Sequence, residues 1–293
     1  MPLYRGRSFT DTRLAGITKI QSIRRLELID TSVTDLGMEA LRNAANLSMV
    51  QISGSVIGDR SVAVISCLPK LRYLDLGWAP HVTNDAIAYL LASTHLRELY
   101  LEGLCLTDAC IGSLRQLFTR GIPGLMCSST AITDVGIAQL ADAKLHGVVA
   151  DCTSITGRGF EAWPQSDVEA GISLRACPID DAGVILICQR FPKLRKLNLA
   201  DTRITDESVN HIAILPRLEI LRLDRTLITD DGLSRLIGHK KLQAIGLSGC
   251  NVSEERVRHL VQMQKRYAGY FRLEAAPPIV DSWSPEGGHH FMM

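Results

Sequence analysis

Large aromatic side chains are scarce here: Phe, Trp and Tyr together make up 5% of the 293 residues. Any core must therefore be assembled from aliphatic residues, and a hydrophobic fraction of 46% supplies enough of them for a large one. No apolar run approaches the roughly 18 residues that a membrane-spanning helix needs, so no membrane contact is expected. Neither sign of charge dominates: the formal net charge is +1, without the concentrated Lys and Arg excess that phosphate backbones demand, which argues against nucleic acid as a partner. The start, Met1 to Ile20, contains no apolar stretch of the secretory kind, being interrupted by Arg5, Arg7, Asp11 and Arg13. Pro2, Gly6 and Gly16 also make it a poor amphipathic presequence. The eight cysteines include no Cys-x-x-Cys pair, which fits neither a zinc site nor a disulfide scaffold and is read as reduced, buried thiols of a cytoplasmic protein. A Walker loop, Gly-x-Gly-x-x-Gly, Gly-x-Ser-x-Gly and His-x-x-x-His are all missing. The expectation is accordingly a protein without catalytic residues, metal ligands, cofactor or small-molecule substrate.

What is present is a repeat. From Ile23 onward one template returns, L-x-x-L-x-L-x-x-(T/C)-x-I-T-D-x-G-L, about ten times with a period of roughly 24 residues. Its starts fall at Ile23, Leu47, Leu71, Leu96, Ile122, Leu145, Glu169, Leu194, Leu218 and Leu242. The fourth and sixth positions are apolar, as in Leu26 and Leu28, Leu74 and Leu76, or Leu221 and Leu223. Two apolar residues separated by one polar residue is the alternation of a strand with one buried face. A single coil of this size buries too little to fold alone, so stacked coils pairing their strands into a parallel sheet are expected.

Behind each strand an isoleucine-type residue returns the chain to the core, followed by Thr-Asp, as in Ile132-Thr133-Asp134, Ile204-Thr205-Asp206 and Ile228-Thr229-Asp230. Threonine there is expected to cap a helix, and the aspartate to favour the positive end of the helix dipole. The aspartate column is thus structural, although a row of carboxylates resembles a site. The ninth position (Thr31, Ser55, Ala79, Leu104, Thr130, Thr153, Cys177, Thr202, Thr226, Cys250) mostly holds small residues whose hydroxyl or thiol can bond neighbouring backbone, which makes Cys177 and Cys250 substitutes for threonine and no nucleophiles.

These residues resemble the cysteine-containing class of leucine-rich repeats, found in F-box substrate receptors and in many bacterial repeat proteins, and the Ile-Thr-Asp-x-Gly-Leu wording is closest to the bacterial versions. The resemblance implies an α/β solenoid, an arc or horseshoe with a concave parallel sheet and convex helices, over residues 23–267. A flank or cap at 1–22 and a flexible tail at 268–293 complete the expected organisation. It also implies that the chain recognises a partner protein on its concave face; the alternatives are a substrate-receptor subunit of a ubiquitin-ligase-like complex and an effector that mimics host repeats. Repeats five to seven are degenerate: Glu169 takes an apolar slot, and Gly124, Gly147 and Gly171 flank the strands, which suggests a local change of curvature.

Third, fifth and seventh positions alternate with the buried ones and are expected on the concave side. Two clusters then emerge. Tyr73, Asp75, Glu98, Tyr100 and Glu102, with Trp78 just past the strand, form an aromatic and acidic group suited to a basic segment of a partner. Arg175, Lys196 and Arg222 form a secondary basic patch.

Overall fold

The computed structural model describes residues 3–166, 169, 171–268 and 272–274. It divides into two compact units, Met1–Ile132 and Thr133–Met293. The first carries strands β1 (Leu3–Arg5), β2 (Arg25–Ile29), β3 (Met49–Gln51), β4 (Tyr73–Asp75), β5 (Glu98–Tyr100) and β6 (Gly124–Met126). Helices α1 (Asp11–Ala15), α2 (Asp35–Met38), α3 (Asp59–Ser66), α4 (Asn84–Tyr89) and α5 (Ile111–Thr119) alternate with them. β1 to β5 form a parallel sheet in chain order. The second unit carries β7 (Gly147–Val149), β8 (Gly171–Ser173), β9 (Lys196–Asn198), β10 (Ile220–Arg222), β11 (Ala244–Gly246) and β12 (Arg272–Glu274), again parallel and in chain order. Between and around them lie α6 (Asp134–Gln139), α7 (Asp181–Arg190), α8 (Asp206–Ile212), α9 (Asp230–Leu236) and α10 (Glu254–Ala268).

The fold is an α/β leucine-rich-repeat solenoid. Every strand from β2 to β11 begins at the third position of an expected repeat, from Arg25 to Ala244. Leucines of the fourth and sixth positions are buried in both units, Leu26, Leu28, Leu74 and Leu76 in one and Leu197, Leu199, Leu221 and Leu223 in the other. Ahead of the first expected repeat, β1 and α1 follow the same strand–helix order, and Leu3–Arg5 pairs in register with Glu27–Ile29. Of the expected tail from 268, only Ala268 and the three residues of β12 lie within the described residues.

Packing of one coil on the next explains the wording of the motif. The threonine caps its own helix: Thr133 Oγ1 accepts from Val135 N at 3.2 Å, and Thr205 and Thr229 repeat the contact at 3.3 Å. The aspartate that follows reaches across to the next coil. Asp59 accepts Thr83 N and Oγ1, both at 2.7 Å; Asp134 accepts Thr156 N at 2.9 Å and Oγ1 at 2.6 Å; Asp206 accepts Thr229 N at 2.9 Å and Oγ1 at 2.6 Å. Its role is thus larger than a dipole contact, because each carboxylate satisfies the threonine that starts the helix one coil further on. The glycine two residues after the aspartate makes room for this. A Cβ on Gly232 would stand 2.2 Å from Asp206 Oδ1. Where serine takes that place the hydroxyl joins in, Ser208 Oγ donating to Asp181.

The turn that leaves each strand has its own signature. Eighth-position residues adopt positive φ in one coil after another: Asp30 at 54°, Trp78 at 61°, Ser129 at 55°, Cys152 at 56°, Ala176 at 54°, Asp201 at 60° and Arg225 at 54°. Left-handed backbone disfavours a Cβ by about 1–2 kcal/mol. Ala176 makes no compensating side-chain bond, so Ala176→Gly is expected to raise stability by roughly 0.5–1 kcal/mol, net of glycine's greater freedom when unfolded. Equal or lower denaturation midpoints for the variant would contradict this reading of the turn.

Candidate protein-binding site

On β4 and β5 the register sets Tyr73 beside Glu98 and Asp75 beside Tyr100. Positions two apart share a face, so the four side chains form a diagonal lattice of rings and carboxylates. The two phenol rings meet across the strands with centroids 5.2 Å apart and planes tilted by 40°, a favourable geometry for an aromatic pair. Asp75 is buried: its Oδ2 accepts from Ser53 Oγ at 3.0 Å and its Oδ1 from Gly77 N at 2.9 Å. Glu98 is exposed, and Tyr73, Tyr100 and Glu102 are half-buried.

Burial, and then the neighbouring acids, hold both phenols protonated. The Tyr73 hydroxyl lies far above its ordinary range, through burial first and then Asp75, Tyr100, Glu98 and Glu102. Tyr100 is pushed up to about 12, through burial first and then Glu98, Glu102 and Asp75. The patch therefore presents neutral hydroxyls in a field set by carboxylates, which favours an approaching cation over an anion.

Trp78 completes the group by an unusual route. It sits at the left-handed position, where a bulky residue is rare, and 39% of its surface is exposed. Its backbone N donates to Glu102 O at 2.7 Å. The indole lies on the next coil's glycine, since a Cβ on Gly103 would stand 2.5 Å from Trp78 Cδ2. The left-handed turn at Trp78 is thus followed by an indole that packs on Gly103, next to Glu102 of the lattice. Tyr73, Asp75, Glu98, Tyr100 and Glu102 lie close enough to act on one another electrostatically, and Trp78 lies just past β4 in the same unit, against Gly103.

The basic residues have a different setting. Arg175 is buried, 3% exposed, with Nε bonded to Asp201 at 2.7 Å. Arg225 pairs with the same carboxylate, and Arg225 first, then burial in the opposite sense, then Arg175, leave Asp201 below the ordinary aspartate range. Lys196 and Arg222 are half-buried on β9 and β10. Burial lowers the Lys196 ammonium, with Arg195 adding to the effect. Around Arg175 lies a network that single-column reading missed: Ser173 Oγ donates to Asp151 at 2.5 Å, Asn198 Nδ2 to Ser173 Oγ at 3.0 Å, and Arg175 N to Asp151 at 2.8 Å. The available signal was the run of small polar residues at fifth and seventh positions, whose partners sit one coil away.

Among the described residues no helix is long and apolar enough to cross a membrane, and no group of three His, Cys, Asp or Glu side chains is placed to hold a metal ion.

A family model described as a leucine-rich repeat matches residues 192–213. A crystal structure of an internalin from Listeria monocytogenes is similar in fold, with a TM-score of 0.56 at 19% sequence identity, covering 83% of this chain and 73% of the other. Comparison with curated proteins yields no match.

Proposed function

We propose that this protein is a non-catalytic recognition scaffold that binds a basic segment of a partner protein on the concave face of its repeats, through Tyr73, Asp75, Trp78, Glu98, Tyr100 and Glu102. The observation that carries the reading is the Tyr73–Tyr100 ring pair set among carboxylates on adjacent strands. Large rings that are already ordered lose little entropy on binding, and a desolvated guanidinium or ammonium over them gains on the order of 1–2 kcal/mol. The repeat fold supports the same conclusion, since a row of parallel strands offers an extended surface. The eight cysteines, none of which forms a disulfide among the described residues, support a reducing compartment such as the cytoplasm.

The test is a titration of the protein with a library of short peptides graded in net charge, read by fluorescence anisotropy. Basic peptides should bind, more weakly as salt is raised. Tyr73→Ala combined with Tyr100→Ala should weaken that binding about thirtyfold, on the order of 2 kcal/mol, with unfolding still cooperative. Equal affinity for acidic and basic peptides, or binding untouched by the double substitution, would remove the patch from the reading.

A further inference from the structure

Among the seventh positions of the repeats, Gly77 is the only glycine. Its backbone is not left-handed, so no turn requires a glycine there. What the missing side chain leaves is space between two acids. A Cβ on Gly77 would stand 3.2 Å from Asp75 Oδ1 and 3.9 Å from Glu102 Oε2. Carboxylates from adjoining coils therefore border one place on the sheet face of the first unit. Asp75 is held there by Gly77 N at 2.9 Å and Ser53 Oγ at 3.0 Å. Glu98 belongs to the other side of the lattice, where the Tyr100 hydroxyl is hydrogen-bonded to it. Aromatic rings flank the same place. Tyr100 lies two residues before Glu102 on one face of its strand, and Trp78, directly after Gly77, packs on Gly103 directly after Glu102.

We infer that the basic side chain this patch selects is an arginine, with its guanidinium over Gly77 between Asp75 and Glu102 and its plane against the Tyr100 ring. The inference rests on the recognition reading above and narrows its partner. A guanidinium carries donors on separate edges of one plane, so it serves two carboxylates at once while its face lies on a ring. It is also weakly hydrated and loses little on leaving water. An ammonium is a compact, strongly hydrated point charge without a face, and gains less from two acids set apart with rings beside them. Gly77 is then the residue that sets the discrimination, because any side chain there would enter the space between the carboxylates.

The test titrates the full chain with two peptides of equal length and charge, one carrying arginine wherever the other carries lysine, at one salt concentration and read by fluorescence anisotropy. Wild type should hold the arginine peptide about tenfold more tightly. Gly77→Ala places a methyl group between the acids, and Glu102→Gln keeps the side-chain shape while removing its charge. Each should bring the two affinities to within about twofold of one another, with unfolding still cooperative. Glu102→Gln keeps the test readable if Gly77→Ala disturbs the strand end. Equal affinities in wild type, with binding still lost in the Tyr73→Ala, Tyr100→Ala protein, would overturn the arginine assignment and leave recognition of basic segments standing. An arginine preference that survives both Gly77→Ala and Glu102→Gln would overturn the place given to the guanidinium. Binding of neither peptide would remove the recognition reading itself, and this inference with it.

Discussion

Phe160→Ala is expected to cost about 3–5 kcal/mol. The sixth coil lacks the regular helix of its neighbours and uses a short 3-10 helix, Arg158–Ala162, in its place. Aromatic bulk fills the space. The rings of Phe160 and Trp163 lie 5.5 Å apart, Phe160 and Phe191 5.7 Å in an edge-on pair, and Trp163 and Phe191 5.5 Å. All three are buried, and Trp163 Nε1 donates to Ile137 O at 2.9 Å, tying the cluster to α6. Removing Phe160 takes one ring from each of two pairs and leaves a cavity in a region bounded by rigid coils. Urea denaturation of wild type and variant measures the difference; a loss below about 1 kcal/mol would mean that the site collapses freely and that the rings are not its support.

Asp181→Ala is expected to cost about 2–4 kcal/mol, because it deletes the acceptor of four hydrogen bonds from the following coil. Thr205 N and Oγ1 bond it at 2.8 and 2.7 Å, Ser208 N at 3.3 Å, and Ser208 Oγ closes the set. Burial alone would raise this carboxyl; the bonds from Ser208 and Thr205 outweigh it and leave Asp181 below the usual range. Asp201 and Asp230 are lowered too, Asp201 first by Arg225 and Asp230 first by the Ser253 backbone. A carboxylate lowered in the folded state contributes stability above its unfolded value, near pH 4, and that contribution disappears as pH falls through the folded value. Acid should therefore unfold wild type below about pH 4, and Asp181→Ala should flatten that part of the curve while lowering stability at neutral pH. An unchanged acid limb in the variant would separate Asp181 from the transition.

Much of the fold was legible because its cause is local and repeated. Leu-x-x-Leu-x-Leu states a strand with one buried face, and β2 to β11 start at the third position of each expected repeat. Threonine as cap was readable from the adjoining chain alone, and Thr34, Thr83, Thr107, Thr133, Thr205 and Thr229 all cap their helices. The second role of the aspartate was not readable, because its partner lies one coil away and neither residue is unusual in its own segment. The left-handed column was hidden for another reason. Residues as different as Asp201, Trp78 and Arg225 occupy it, so the backbone there is imposed by the coil rather than by residue type. The aromatic and acidic lattice followed from strand alternation, whereas the setting of Arg175 did not. Position alone put it on a face, but Asp201 and Asp151, drawn from neighbouring coils, make it a buried structural cation.

Hydroxyl-radical footprinting of the protein with and without a bound basic peptide tests the proposed recognition most directly, since it reads side-chain exposure residue by residue. Oxidation of Tyr73, Trp78 and Tyr100 should drop together on binding, while Tyr89, exposed on α4, stays as reactive as before. Protection of Tyr89 with Tyr73, Trp78 and Tyr100 unchanged would contradict it, and would place recognition on the helical side of the repeats.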